Sequence, residues 1–284
     1  MSARKAILAG SWYPAGASAC RREIERYVQD AAYTPDPQKQ YKGGIVPHAG
    51  WHFSGSIACN VIDSLKHKSS IDVFAVFGMH LHPRSPNYIM TEGAWETPLG
   101  DIEIESRLAV ELSKRFPFTV ETGDWHTQDN TIEVQLPFIK YFYPEARLVP
   151  IGVSPAPSSL DIGRTIVQLS KAFGLSIKVL GSTDLTHYGA NYGFSPHGVG
   201  EQALNWVVRE NDAAVIEAME AMDPAKVIEE ALEHHNACCA GAAASAIEAA
   251  KTLGASSAEQ VRYATSYEKS PGESFVGYVG IVFY

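Results

Sequence analysis

The sequence predicts an α/β fold, one domain with a mostly parallel central sheet flanked by helices. Three observations carry that expectation. Short apolar runs alternate with amphipathic helical stretches through residues 44–77 and again through 147–180. The run Val73-Phe74-Ala75-Val76-Phe77 has no polar alternation, as a strand buried on both faces requires. No linker, internal repeat or low-complexity segment divides the 284 residues, so the alternation argues for one layered domain. Strands joined through a helix are most simply parallel.

In chain order, residues 19–31 place Ile24, Tyr27, Val28 and Ala31 at the helical period, with Ser18 as a cap. A loop rich in proline and glutamine follows at 35–40. Gly44-Ile45-Val46 is a short strand that stops just before His48. The stripe Ile57, Ala58, Val61, Ile62 and Leu65 marks an amphipathic helix over 56–66. Strand 73–77 comes next. Residues 86–105 read as a β excursion turning at Pro98-Leu99-Gly100-Asp101. Helices are expected at 107–115 and 131–142, a strand at 147–153, a helix at 159–173 and a strand at 177–180. Residues 201–222 are helical in pattern, and Asp223 then caps a helix that starts at Pro224. The alanine-rich stretch 239–253 is the last helix, and 261–265 and 275–283 close the chain as strands.

With 45% hydrophobic and 19% charged residues, the chain supports a sizeable core and argues against disorder. The formal net charge is −9 and no basic cluster exceeds Arg21-Arg22, which argues against a nucleic-acid surface. The four cysteines, Cys20, Cys59, Cys238 and Cys239, form no disulfide framework, so a reducing compartment is the default. The first residues lack a long apolar leader, and no run is long and apolar enough for a bilayer. The expectation is a soluble cytoplasmic protein.

The chemistry-bearing residues fall where strands should end. His48 follows Ile45-Val46-Pro47, His80 follows the strand and Gly78-Met79, and Asp184 and His187 follow Val179-Leu180-Gly181-Ser182-Thr183. In open α/β sheets ligands bind beyond the carboxyl ends of the strands. Imidazoles, a thiol and a carboxylate converging there fit a metal or acid–base site. Singly, each has an ordinary role: His48 as a turn residue bonded to a carbonyl, Asp184 as a turn-stabilising side chain, the cysteines as small buried apolar residues. His80 and His82 alternate, so at most one points inward if the strand pitch persists; His80 is nearer the strand end. Asp184 and His187, three residues apart, suit an acid–base pair or a pair that orients a ligand. Cys238 is expected at the start of the alanine-rich helix with Asn236 as a cap, where the dipole favours thiolate. Cys239 would then face about 100° away, toward packing. Glu133 reaches the site from a helix start or completes a cap. His126 and Glu133 flank Asp129-Asn130-Thr131, and His52, His67, His197, His234 and His235 are weaker candidates. There is no HExxH, CxxC, GxGxxG or P-loop motif.

Several of these segments together resemble the Memo family, whose bacterial and archaeal members are called protein B of the AmmeMemoRadiSam system. They are Ala9-Gly10-Ser11-Trp12-Tyr13-Pro14, Pro47-His48-Ala49-Gly50-Trp51, Gly78-Met79-His80, Asn130 to Phe138, Ser182 to Gly189, and Cys238 with Glu248-Ala249-Ala250-Lys251 behind it. The resemblance spans the chain, as one Memo-like domain over residues 1–284. It implies a fold like the class III extradiol dioxygenases of the LigB type, and a mononuclear site with His48, His80 and Cys238 as ligands. It also implies radical-SAM and AMMECR-type partner proteins. Two imidazoles and a thiolate favour iron or copper, with zinc possible, and dioxygenase-like redox chemistry on a small-molecule or peptide substrate. A metallohydrolase with Glu133 or Asp184 as base, or a peptide-binding module without turnover, are the alternatives. The chain departs from the family pattern in three places. Gly-Met-His80-Leu-His82 replaces a Gly-Pro-Ser/Asn-His pattern, leaving His80 against His82 open. Asp129-Asn130 stands for Glu-His. Cys238-Cys239-Ala240-Gly241-Ala242 stands for Cys-Gly-Arg-Gly-Pro, which removes a bidentate arginine donor.

Overall fold

Four adjacent strands of the core contain no exposed residue, and this decides the architecture. In a computed structural model, which describes residues 2–31, 33–66 and 70–284, the elements run as follows. The first half comprises β1 (Ala3–Arg4), α1 (Ala17–Gln29), β2 (Gly43–Val46), α2 (Trp51–Ser64), β3 (Val73–Gly78), β4 (Asn87–Met90), β5 (Ala94–Trp95), β6 (Ile102–Glu103), α3 (Ser106–Ser113) and β7 (Phe118–Glu121). The second half comprises α4 (Leu136–Phe142), β8 (Arg147–Gly152), α5 (Pro157–Ala172), β9 (Ile177–Ser182), β10 (His187–Tyr188), α6 (Glu201–Trp206), α7 (Asp212–Glu220), α8 (Pro224–His234), α9 (Ala240–Thr252), β11 (Ala258–Thr265) and β12 (Phe275–Phe283).

The large sheet has the order β10-β12-β2-β9-β3-β8-β4-β7, with β11 also paired to β12. Its central strands β2, β9, β3 and β8 are parallel, as the crossover helices demand. The flanks are antiparallel: β12 on β2, β4 on β8, and β10 and β11 on β12. The fold class is therefore the expected α/β domain, with a sheet that is parallel at the centre and mixed overall. Every residue of β2, β3 and β9 is buried, because helices cover both faces. Helix α2 packs on β2 and β12 with α1 and α4 beside it. Helix α9 packs on β9, β3 and β2 with α5 and α8 beside it. A second sheet, β1-β5-β6, ties the N-terminus to the excursion after β4.

Differences from the sequence reading have local causes. The 86–105 excursion does turn at 98–101, but its first strand, β4, joins the main sheet. Strand β7 was not anticipated; it is short, partly exposed and polar at alternate positions. The stretch 201–222 is helical but broken by a π turn at Val207–Asn211. Asp223 caps α8 as expected, accepting from the Lys226 amide. The candidate His67 lies outside the described residues.

Helix α9 is alanine-rich because it must lie almost backbone to backbone on its neighbours. A Cβ built on Gly181 of β9 would stand 2.7 Å from the Ala242 carbonyl oxygen, and one on Gly163 of α5 would collide with the Ser245 carbonyl. Overpacking such a contact costs about 1–3 kcal/mol. Replacing Gly163 by valine should therefore lower the unfolding free energy by at least that amount, read as a lower urea midpoint at unchanged slope. A variant as stable as the parent would show that the α5–α9 approach has slack.

Candidate metal centre and its cleft

Strands β2, β9 and β3 are adjacent and parallel, so their carboxyl ends open on the same edge. His48 stands two residues beyond β2, Asp184 two beyond β9 and His80 two beyond β3. The loop before α9 drops onto this edge. The Cys238 amide donates to the Asp184 carbonyl at 3.1 Å, and the Cys239 amide to the Thr183 hydroxyl at 3.0 Å. The donor atoms of His48, His80, Cys238 and Cys239 consequently lie within 4.8 Å of one another. Cys238 Sγ is 3.3 Å from His48 Nε2, and Cys239 Sγ is 3.4 Å from His80 Nδ1.

Each imidazole is aimed by a specific contact. Ser182 Oγ gives its proton to the Thr131 carbonyl at 2.7 Å, so it accepts from His48 Nδ1 at 3.1 Å. That engages Nδ1 and leaves Nε2, facing Cys238, as the nitrogen a metal would take in place of a proton, the usual arrangement of a metal-binding histidine. His80 is aimed by strain. Met79 adopts φ 71°, a left-handed conformation uncommon outside glycine, held by its amide donating to Thr131 Oγ1 at 2.8 Å. The strand pitch therefore ends at Gly78. His80 meets His48 edge-on at 4.9 Å, while His82 lies in an exposed turn with its amide bonded to Ser85.

The cysteines depart from the helical expectation. Helix α9 begins at Ala240 with Cys239 as its N-cap residue, at φ −128° and ψ 54°. Neither cysteine follows helical spacing, so Cys239 turns into the cluster instead of 100° away from it. Asn236 is not the cap; its amide donates to the Asn211 carbonyl. Sequence reasoning missed Cys239, because it placed the first helical turn too early.

Burial opposes charge throughout the site, and the neighbours decide the outcome. At His48 burial is outweighed by Asp184 and Cys238, raising its pKa to about 9. At Cys238 burial is outweighed by donation from Cys239 and by the imidazoles, holding the thiol well below its usual range. Burial and the Cys238 charge push Cys239 up. Burial also raises Asp184, although the His48 charge opposes it. Asp184 Oδ1 accepts from the His48 amide at 2.7 Å, and Oδ2 lies 3.9 Å from both His48 Nε2 and His187 Nε2.

A cleft of about 550 Å³ opens over the cluster. His48, His80, Asp184 and His187 line its floor, with Trp12, Phe53, Tyr192, Val276 and Tyr278 around them. Of the weaker candidates among the described residues, His52 lines it. His126 bonds the Thr122 carbonyl, His197 stacks on Trp206, His234 lies near Glu230, and His235 is the left-handed cap of α8. Glu133 does not reach the cleft. Its Oε1 accepts from the Leu8 amide at 2.7 Å and Tyr13 at 2.8 Å, anchoring the N-terminal segment. The base role considered for it has no geometric footing.

An α/β sheet whose parallel strand ends gather a His/Cys cluster able to hold a metal ion, beneath an aromatic cleft, defines the class. The chain belongs to the Memo-like protein family, which it matches over residues 4–282. It is 33% identical over 289 residues to a MEMO1 family protein of Thermococcus kodakarensis, covering 99% of both chains. It is 34% identical over 293 residues to one of Methanopyrus kandleri, covering 99% of this chain and 98% of that one. A crystal structure of an uncharacterized Escherichia coli K12 protein aligns over 93% of this chain and 91% of that one. Its 12% identity and TM-score of 0.46 are too distant to bear on the site.

Behind His187, Asp212 accepts from the Thr186 amide at 3.0 Å, from the Thr186 hydroxyl, and from Tyr263 at 2.7 Å. Burial outweighs these donors and pushes its pKa up to about 6 from 3.8. A carboxyl raised in the fold stabilises it fully below pH 3.8, and that contribution is lost as pH rises through about 6. The difference amounts to about 3 kcal/mol. Urea unfolding between pH 4 and 7 should show that decline in the parent and a flatter profile in Asp212→Asn. Parallel profiles would contradict it.

Proposed function

We propose that this chain is a metal-dependent protein of the non-haem redox type, with His48, His80 and Cys238 holding the ion. The observation that carries the reading is the convergence of two imidazoles beyond β2 and β3 with a thiol from the loop before α9. The donor set fits a transition metal by its chemistry: His48 has its far nitrogen engaged by Ser182 and its near nitrogen turned to Cys238 Sγ. Iron or copper bound there supplies one-electron chemistry, whereas zinc supplies Lewis acidity.

The chain's own groups divide the remaining work. Asp184, almost fully buried, holds the His48 backbone and stands between His48 and His187. His187 is partly exposed at the cleft wall and moves a proton to or from a bound substrate. Tyr192 packs on the His187 ring at 4.9 Å. The aromatic surround suits a substrate with a flat apolar body, either a small molecule or a peptide side chain. The Asp184–His187 pair serves a hydrolytic reaction equally well, and this observation keeps metallohydrolysis as the second reading.

The test starts from protein purified without a metal-affinity column. Metal content is measured, the apo protein is reconstituted anaerobically with Fe²⁺, Cu⁺ or Zn²⁺, and O₂ uptake is followed with phenolic and thiol substrates. His48→Ala should lose the ion. His187→Ala should keep it and lose about 10²–10⁴-fold in turnover, the range for a missing acid–base group. Equal loss of metal in both variants would make His187 a ligand. Release of acid from screened esters without O₂ uptake would replace the redox reading by the hydrolytic one.

A further inference from the structure

We propose that Cys239 is a fourth ligand, so that the ion sits between two imidazoles and two thiolates. The ion is then a thiophilic d¹⁰ cation, Zn²⁺ or Cu⁺. The inference rests on the metal-site reading above and narrows its ion class.

The distances carry it. Cys239 Sγ is 3.8 Å from Cys238 Sγ and 3.4 Å from His80 Nδ1, and Cys238 Sγ is 3.3 Å from His48 Nε2. A tetrahedral ion with bonds of about 2.3 Å to sulfur and 2.0–2.1 Å to nitrogen sets S···S at about 3.8 Å and N···S at about 3.6 Å. Three of the six edges match to within about 0.3 Å, and the other three lie within 4.8 Å. The polar atoms that Cys239 Sγ meets belong to Cys238 and His80, the other members of the cluster. A cysteine serving only as packing would be surrounded by apolar groups. Here the residue is 3% exposed yet turns its sulfur to an imidazole.

The arrangement has two sides. His48 and His80 line the cleft, and the cysteines lie behind them. Ligation by Cys239 therefore comes from the interior and fills the fourth tetrahedral position, so a substrate in the cleft reaches the ion only by displacing a ligand or raising its coordination number. Binding breaks the Cys239 Sγ–H bond; the sulfur pair goes to the ion and the proton leaves to solvent. No oxidation state changes. Two thiolates offset both charges of a divalent ion in a buried place, where an uncompensated charge is costly. They also shift preference from Fe²⁺ toward Zn²⁺ and Cu⁺, since soft thiolates select those ions.

The decisive measurement is X-ray absorption at the metal edge. Apo protein receives one equivalent of Zn²⁺, with Cu⁺ and Fe²⁺ in separate anaerobic samples. The zinc form should show two sulfur neighbours at about 2.3 Å and two nitrogens. Cys239→Ser should show one sulfur. It should bind Zn²⁺ more than about a hundredfold more weakly, because losing even an outer partner costs about 10–100-fold. One sulfur in the parent overturns the proposal whatever the variant does. So does a Cys239→Ser protein with native circular dichroism and unchanged affinity. Displacement of Zn²⁺ by equimolar Fe²⁺ overturns the ion class. A parent that binds none of the ions, or a His48→Ala spectrum identical to the parent's, overturns the site reading itself.

Discussion

The close approach of α9 to β9 and α5 is the constraint on which the rest of the site depends. An alanine-rich helix offers little side-chain area, so its contribution to the core comes from proximity. Gly163 and Gly181 remove the Cβ atoms that would otherwise hold it off. Because α9 is fixed at that depth, the residues before its first turn are delivered onto the ends of β2, β9 and β3. Backbone bonds from Cys238 to Asp184 and from Cys239 to Thr183 complete the seam. Widening the helix–sheet gap by one methyl group would move both sulfurs relative to the buried His48, which is held by hydrogen bonds at its backbone and ring.

The histidines are fixed by different means. His48 is held by hydrogen bonds at both its backbone and its ring, from Asp184, Asn130 and Ser182. His80 is held by a strained residue before it, and the strain is locked by Thr131, which Asp129 orients in turn. Backbone strain of this kind costs of order 1–3 kcal/mol and persists only where the surroundings over-determine it. Its location beside the cluster is consistent with a site in which the direction of one side chain matters more than local stability.

Charge in the cluster is shared among neighbours that all resist it through burial. A thiol lowered by imidazoles and an imidazole raised by a thiolate and a carboxylate form one coupled unit. A cation placed among them would take over the compensation that His48 supplies. The sulfurs face the interior and the imidazoles face the aromatic cleft, so the electronic character of the centre and its access to substrate are set by separate residues.

Much of this was legible in the chain. Strand–helix alternation follows from hydrophobic periodicity, which is a local property, and it gave the α/β class, the central strands and most helices. Strand-end placement pointed to His48, His80 and Asp184, because the polarity change at a strand terminus is visible one residue at a time. The cap at Asp223 was local too. What the chain alone left undecided depends on contacts distant in sequence. The antiparallel flanks form where β12 pairs with the edge of β2 and β4 with the edge of β8, pairings between segments far apart in sequence. The aim of His80 depends on Met79 being held by Thr131, 52 residues away. Glu133, read as a reachable base, is claimed by Leu8 and Tyr13 from the other end of the chain. Cys239 joins the cluster because the seam with β9 delays the start of α9 by one residue. That delay is set by tertiary hydrogen bonds and not by helix propensity.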